Sequence, residues 1–152
     1  MIKNILVAAD ASAASKRAIT MAAQLASQYD AELLIVHVIR EMQIPFEIKE
    51  IPELEEKTIA TFNDVRETVM RKVAESILKE SKASAEREGT HSVKTAIGTG
   101  DPASSILGFA KRNKTDMIVI GTRGLSKLKS TVLGSVSRKV ANNAETSCLI
   151  VR

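Results

Sequence analysis

Met117-Ile-Val-Ile-Gly-Thr-Arg-Gly-Leu-Ser-Lys-Leu-Lys-Ser-Thr-Val-Leu-Gly-Ser-Val-Ser137 is the stretch whose reading decides the fold. Met117–Ile120 is a short apolar run of the kind a buried strand carries. Farther on, Leu133, Val136, Val140 and Ala144 recur at helical spacing, which predicts a helix over about 131–143. The turn between the two is rich in glycine. Such strand-to-helix turns can aim several backbone N–H groups at one anion. Gly121 and Gly124 allow a sharp turn and a close approach to a ligand. Gly134, Ser135 and Ser137 are expected near the first turn of the helix, where N–H groups and hydroxyls can grip phosphate oxygens. Arg123, Lys127 and Lys129 add positive charge. A hydrogen bond to a charged group of this kind contributes roughly 1.5–3 kcal/mol.

Working outward, residues 3–9 read as a fully buried strand that ends at Asp10. Ser12 is a candidate N-cap. Ala18, Ala22, Leu25 and Tyr29 then follow at helical spacing, predicting a helix over 13–29. Residues 31–39 form a second apolar run, read as a strand that contains His37 and Val38. The segment 40–54 carries Pro45 and Pro52 and has no clean period. It reads as a loop packed on the domain edge, or as a flap over a ligand or a partner-contacting arm. From 55 to 88 the pattern is helical, with Ile59, Phe62, Val65, Val69, Val73 and Ile77 three and four residues apart and Gly89 as terminator. Residues 91–98 alternate and predict a third strand at a sheet edge, followed by a turn at Gly98-Thr99-Gly100. Asp101-Pro102 starts a helix, with Asp101 as its cap and Pro102 in its first position. Residues 147–151 are the last strand.

Strands and helices therefore alternate along the chain. That order predicts an α/β, three-layer, doubly wound sandwich: a five-stranded parallel sheet with two helices on each face. No boundary, repeat or low-complexity tract interrupts it, so residues 1–152 are read as one domain. In such sheets ligands bind at the carboxyl ends of the strands, where the winding reverses. If the first strand neighbours the fourth, Asp10 and Gly121 line that crevice from its two sides.

Composition removes several function classes. The 152 residues carry a net charge of +4, with both signs mixed along the chain, so nucleic-acid binding is not inferred. The single cysteine, Cys148, excludes an internal disulfide and reads as a small buried thiol. His37 and His91 read as satisfied core or surface histidines. They support neither a zinc cluster nor a Ser/His/Asp triad. No run approaches the roughly 18–20 apolar residues that span a membrane, and Asp10 interrupts the first apolar run, so a cytoplasmic protein with no membrane partner is expected. No Gly-Lys-Ser/Thr follows the glycines, so the loop is not a P-loop.

The spacing Gly121, two residues, Gly124, nine residues, Gly134-Ser135 resembles the nucleotide-binding signature of the universal stress protein family. The likeness extends over the whole chain. It includes Ile5-Leu6-Val7-Ala8-Ala9-Asp10 with Ser12 and Ser15, Val36-His37-Val38, Gly98 with Pro102 and Ile106, and Leu149-Ile150-Val151. Ala11 departs from it, since many members have glycine there; so does Ser147-Cys148, where a proline is common.

The resemblance implies strand order 3-2-1-4-5, an adenine nucleotide alpha hydrolase-like fold and a homodimer. It also implies binding of ATP, or of AMP or ADP, where Asp10 could help coordinate an Mg ion brought by the nucleotide, with no metal site of its own. Asp10, with Ala9, is then expected on the ribose or adenine side, and the main chain of Val38 at the adenine edge. Gly121, Arg123 and Gly124, with Ile120, are expected on one side of the phosphates. Gly134, Ser135, Val136 and Ser137 are expected on the other.

The same glycines also admit a purely architectural explanation: a tight turn at Gly121 and Gly124 and close helix–strand packing at Gly134. No lysine is set to reach the terminal phosphates, and no second acid is placed to orient water. The expectation is a nucleotide-binding stress sensor or switch with little or slow hydrolysis. The alternative is a dimeric interaction module that binds no nucleotide. In either case the apolar strand Cys148–Val151 is expected to pair with its twin rather than leave a bare sheet edge.

Overall fold

The computed structural model describes residues 1–41, 56–122 and 133–152. Among them the elements run β1 (Asn4–Ala8), α1 (Ala13–Tyr29), β2 (Glu32–Ile39), α2 (Glu56–Arg87), β3 (Val93–Thr99), α3 (Pro102–Arg112), β4 (Met117–Gly121), α4 (Ser135–Asn143) and β5 (Ser147–Val151). The strands form one sheet in the order β3-β2-β1-β4-β5, and every pairing is parallel.

Period-two alternation splits each central strand between two cores. Ile5, Val7, Leu33, Ile35 and Val119 point to the side covered by α1 and α2, where Ile19 and Leu78 meet them. Leu6, Leu34, Val36, Ile118 and Ile120 point to the other side, against Ile106 of α3 and Val140 of α4. Both faces are buried, which explains why β1, β2 and β4 read as continuous apolar runs. Ala18, Ala22 and Ala23 of α1 are fully buried and let that helix lie close to the sheet.

The caps match the sequence. The Ser12 side chain accepts the Ser15 N–H at the start of α1, and the Asp101 side chain accepts the Ser104 N–H at the start of α3, with Pro102 in the first helical position. Gly89 ends α2 with φ +83°, a left-handed backbone that favours glycine.

Several expectations are corrected. Helix α4 begins at Ser135, not near 131; Gly134 has an extended backbone (φ −61°, ψ 159°) and occupies the cap position. Gly98 and Thr99 belong to β3, so the turn comes at Gly100, with φ +96°. Cys148 is half-buried rather than buried. The expected apolar side of α2 is only partly a core side: Phe62, Val65, Val69 and Val73 are exposed, while Ala74, Leu78 and Ala85 are buried. The reason is length. Helices α1 and α2 run side by side in the same direction, with Lys16 against Glu80 and Gln24 against Glu88, each at 3.0 Å. The first half of α2 therefore extends beyond the start of α1. The loop or flap expected at 40–54 lies outside the described residues except for Arg40 and Glu41.

Candidate functional site

β1 is the hinge of the winding. It pairs with β2 on one side and β4 on the other, with Ile5 opposite Met117 and Val7 opposite Val119. Chain order runs outward from β1 to β3, covered by α1 and α2, and then from β4 to β5, covered by α3 and α4. The reversal therefore falls between β1 and β4, and the loops leaving their carboxyl ends meet there.

The β1 side of the crevice is a hydrogen-bonded turn. Ala9, 3 % exposed, donates its N–H to the Val36 carbonyl at 2.8 Å, and its own carbonyl accepts from His37 Nδ1 at 2.7 Å. That contact fixes the proton on Nδ1, because a carbonyl can only accept. His37 is thus a satisfied side chain, as its setting in the sequence suggested. The Asp10 carboxylate accepts the Ser12 N–H at 3.0 Å. Ser15 Oγ accepts the Asp10 N–H at 3.0 Å and donates to the Ala8 carbonyl at 3.3 Å. Ala11, where the resemblance departs by lacking glycine, has φ 64°. The turn keeps the left-handed conformation and carries it on alanine, at some cost in strain. Asp10 remains half-buried at the crevice, and Val38 lies at the end of β2, opposite Gly98 of β3.

The β4 side is equally specific. A side chain at Gly121 would place its Cβ 2.8 Å from the Ala14 carbonyl carbon and 2.9 Å from the Ser15 N, inside van der Waals contact with backbone. Gly121 is therefore required by the close approach of the first turn of α1, whatever the crevice holds. Just beyond it, the Thr122 carbonyl accepts the Gly134 N–H at 2.8 Å and Ser137 Oγ at 2.9 Å, while the Thr122 N–H donates to the Val151 carbonyl at 2.7 Å. The chain thus leaves β4 and returns to start α4 at a single point. Thr122 was missed in the sequence because its part is played by the main chain, which no residue type signals.

Ser137 is only 2 % exposed, and its hydroxyl also lies 3.0 Å from the Gly134 carbonyl, so it secures this turn from within. Ser135 is exposed and Val136 half-buried in the same first turn. Gly134, at the cap position, has no side chain with which to cap the leading N–H groups of α4. Of the predicted residues, Ala9, Asp10, Ile120, Gly121, Gly134, Ser135, Val136 and Ser137 thus lie on the two adjoining loops and strand ends, with Val38 one strand away. Arg123 and Gly124, with Lys127 and Lys129, lie outside the described residues.

Among the described residues, no group of three or more His, Cys, Asp or Glu could hold a metal ion, and no helix is long and apolar enough to cross a membrane.

The comparisons with known proteins agree with this architecture. The model of the universal stress protein family matches residues 1–152. The universal stress protein YxiE of Bacillus subtilis is 36 % identical over 156 residues, covering all of both chains. Among solved structures, a universal stress protein in complex with cAMP is 26 % identical with a TM-score of 0.69, over 99 % of this chain and 97 % of that one. The universal stress protein UspA of Lactobacillus plantarum superposes with a TM-score of 0.72 at 23 % identity, over 99 % and 98 %, and speaks for the fold. With the strand order, the reversal between β1 and β4 and the full-length match all in agreement, this chain belongs to the universal stress protein family.

Proposed function

We propose that this protein binds an adenine nucleotide, ATP or its AMP or ADP relatives, at the carboxyl edge of the sheet between β1 and β4, and serves as a stress-response sensor or switch with little or slow hydrolysis. The observation that carries the reading is the meeting of an acid-bearing turn at Ala9-Asp10 with the Thr122–Gly134 closure at the point where the winding reverses. A relative of the same fold in complex with cAMP supports the adenine nucleotide class. In this reading Asp10 and Ala9 serve the ribose side, the main chain of Val38 the adenine edge, and Gly121, Arg123 and Gly124 with Ile120 one side of the phosphates. The N–H groups of Ser135, Val136 and Ser137 and the Ser135 hydroxyl serve the other side, where the positive end of α4 favours an anion. Ser137 acts through the turn it secures. Any magnesium ion would arrive with the phosphates, and Asp10 would be the carboxylate beside it.

Slow turnover follows from what surrounds the crevice. No Gly-Lys-Ser/Thr follows the glycines to supply a P-loop lysine, and among the described residues no group of three or more His, Cys, Asp or Glu is gathered to hold a metal ion. The protein is proposed to act in the cytoplasm as a homodimer through β5, whose residues Cys148–Val151 are half-buried at the open edge of the sheet.

The test is thermal unfolding with millimolar ATP and magnesium. At a nucleotide concentration about 100 times its dissociation constant, stabilisation should approach roughly 2.7 kcal/mol. Ser135→Leu and Gly124→Val should remove the shift. A wild-type protein that nucleotide does not stabilise refutes the reading and favours a pure interaction module. Sustained hydrolysis near 1 s⁻¹ or faster, an ordinary enzyme rate, refutes the switch.

A further inference from the structure

Helix α2 has two apolar sides. One, carrying Ala74, Leu78 and Ala85, is buried beneath the sheet and α1. The other carries Phe62, Val65, Val69 and Val73, which are 57 %, 59 %, 47 % and 45 % exposed. At 3.6 residues per turn the second side lies nearly half a turn around the helix from the first. It is therefore a separate surface and not a fraying continuation of the core. No residue from 57 to 73 is buried. Isolated helices are marginal in water and take most of their stability from packing an amphipathic side, and among the described residues nothing buries this one.

The stripe leads somewhere. The same side of α2 continues through Ile77, Ser84 and Arg87, which line a groove of about 610 Å³ between α1 and α2, with Ile19 and Val151 also in its wall. Its edge is basic. Arg17, Arg87 and Arg152 border it; Arg17 Nε donates to the Arg152 carbonyl at 2.6 Å, and the one acid in the wall, Glu80, is matched by Lys16 at 3.0 Å. Beside the exposed stripe stand Arg66 and Lys72, while the acids of that half, Asp64, Glu67 and Glu75, fall on the opposite side by helical spacing. The stripe itself is apolar along its middle and positive at its margins, and Glu80, where its line enters the groove, is paired with Lys16.

We propose that this surface docks an acidic amphipathic helix of a partner protein, its apolar side on Phe62–Val73 and its carboxylates toward Arg17, Arg87 and Arg152. This is the helix-in-groove mode of recognition, with charge complementarity setting orientation and partner choice. A second copy of this chain is the poorer occupant. Two α2 helices crossed antiparallel at Val69 would set Arg66 of each against Lys72 of the other, and a parallel pair would set Arg66 against Arg66. The groove reaches the β1 turn at Ala11 and the end of β5 at Val151 and Arg152, whereas the stripe Phe62–Val73 is not part of the groove wall; the inference stands whether or not nucleotide binds in the crevice.

The test selects helices against the full-length protein from a displayed library of amphipathic sequences. Each is about 18 residues long, enough to span the stripe at 1.5 Å per residue, and carries Leu on one side with Glu, Gln or Lys varied at the flanks. Glu-flanked sequences should be enriched. The best of them, followed by fluorescence anisotropy, should bind at least tenfold more weakly to Val69→Asp and to Phe62→Asp. It should bind several-fold more weakly to the double variant Arg17→Glu/Arg87→Glu, with a difference that shrinks in high salt. Circular dichroism should show all three variants folded, since every substituted side chain is on the surface, and sizing should show their mass unchanged. Failure to select any helix, enrichment of Lys-flanked ones, or binding indifferent to Val69→Asp overturns the proposal. So does a fall in oligomer mass in Val69→Asp, which assigns the stripe to a second copy.

Discussion

Gly121 does two things that the sequence presents as one. It stands at the head of a glycine-rich turn, which suggests room for a ligand, yet its immediate neighbours are the main chain of Ala14 and Ser15. Gly121→Ala forces backbone apart in a packed region and should lower stability by about 1–3 kcal/mol in denaturant unfolding, with nucleotide absent. A variant as stable as the wild type would show that the close approach is not binding on the chain. Asp116 works at the opposite edge of the sheet. Its carboxylate accepts the Lys3 and Asn4 N–H groups at 2.7 and 2.9 Å, tying the start of β1 to that of β4. Those bonds, Lys3 first, hold its pKa below the ordinary carboxylate value, against a smaller opposing effect of burial. A carboxyl with a depressed folded pKa contributes stability above its unfolded pKa and loses it as pH falls through the folded one. Asp116→Asn should therefore cost about 1 kcal/mol or less at pH 7, the site being largely solvent-screened. The gap should narrow below about pH 4, where the unfolded carboxyl takes up its proton. A gap independent of pH would contradict this. At this scale the juxtaposition of Asp10 and Gly121 was legible, because it needs only the strand order. The Thr122 carbonyl and the inward turn of Ser137 were not, because main-chain acceptors and rotamers leave no mark in residue type.

Elements were legible where two signals agreed and displaced where only one spoke. Helix α1 matches its expected bounds because a cap at Ser12 and an alanine-rich periodicity coincide. Helix α4 was expected to begin near 131 because periodicity alone extends backward past Gly134. The structure starts it at Ser135, since the Gly134 N–H is committed to the Thr122 carbonyl. That commitment makes a prediction. Ser137→Ala removes a buried hydroxyl from the Thr122 and Gly134 carbonyls and should destabilise the protein by about 1–2 kcal/mol. It should also weaken nucleotide binding even though the Ser137 side chain faces inward. Unchanged stability would remove Ser137 from the closure. In α2 the spacing of Phe62, Val65, Val69 and Val73 announced an apolar side correctly, but periodicity cannot say what covers it. Only the relative lengths and offset of α1 and α2 reveal that nothing in the described chain does.

For the molecule as a whole, a parallel sheet covered on both faces followed from the alternating elements, its strand order was implied by the family resemblance, and the structure agrees with both. An open edge at β5 with four half-buried apolar residues leads to the expectation of a dimer in sizing experiments at micromolar concentration. A monomer there would contradict the strand-to-strand pairing. Nucleotide recognition is a claim of the same scale, because its residues come from β1, β2, β4 and α4 and meet only when the sheet is assembled. The direct measurement is a titration of the isotope-labelled protein with ATP and magnesium, followed by assigned amide spectra. The account predicts shifts concentrated at Ala9-Asp10, Val38, Gly121–Gly124 and Gly134–Ser137, with α2 silent. Spectra that do not change at millimolar ATP, or changes confined to the groove between α1 and α2, would contradict it.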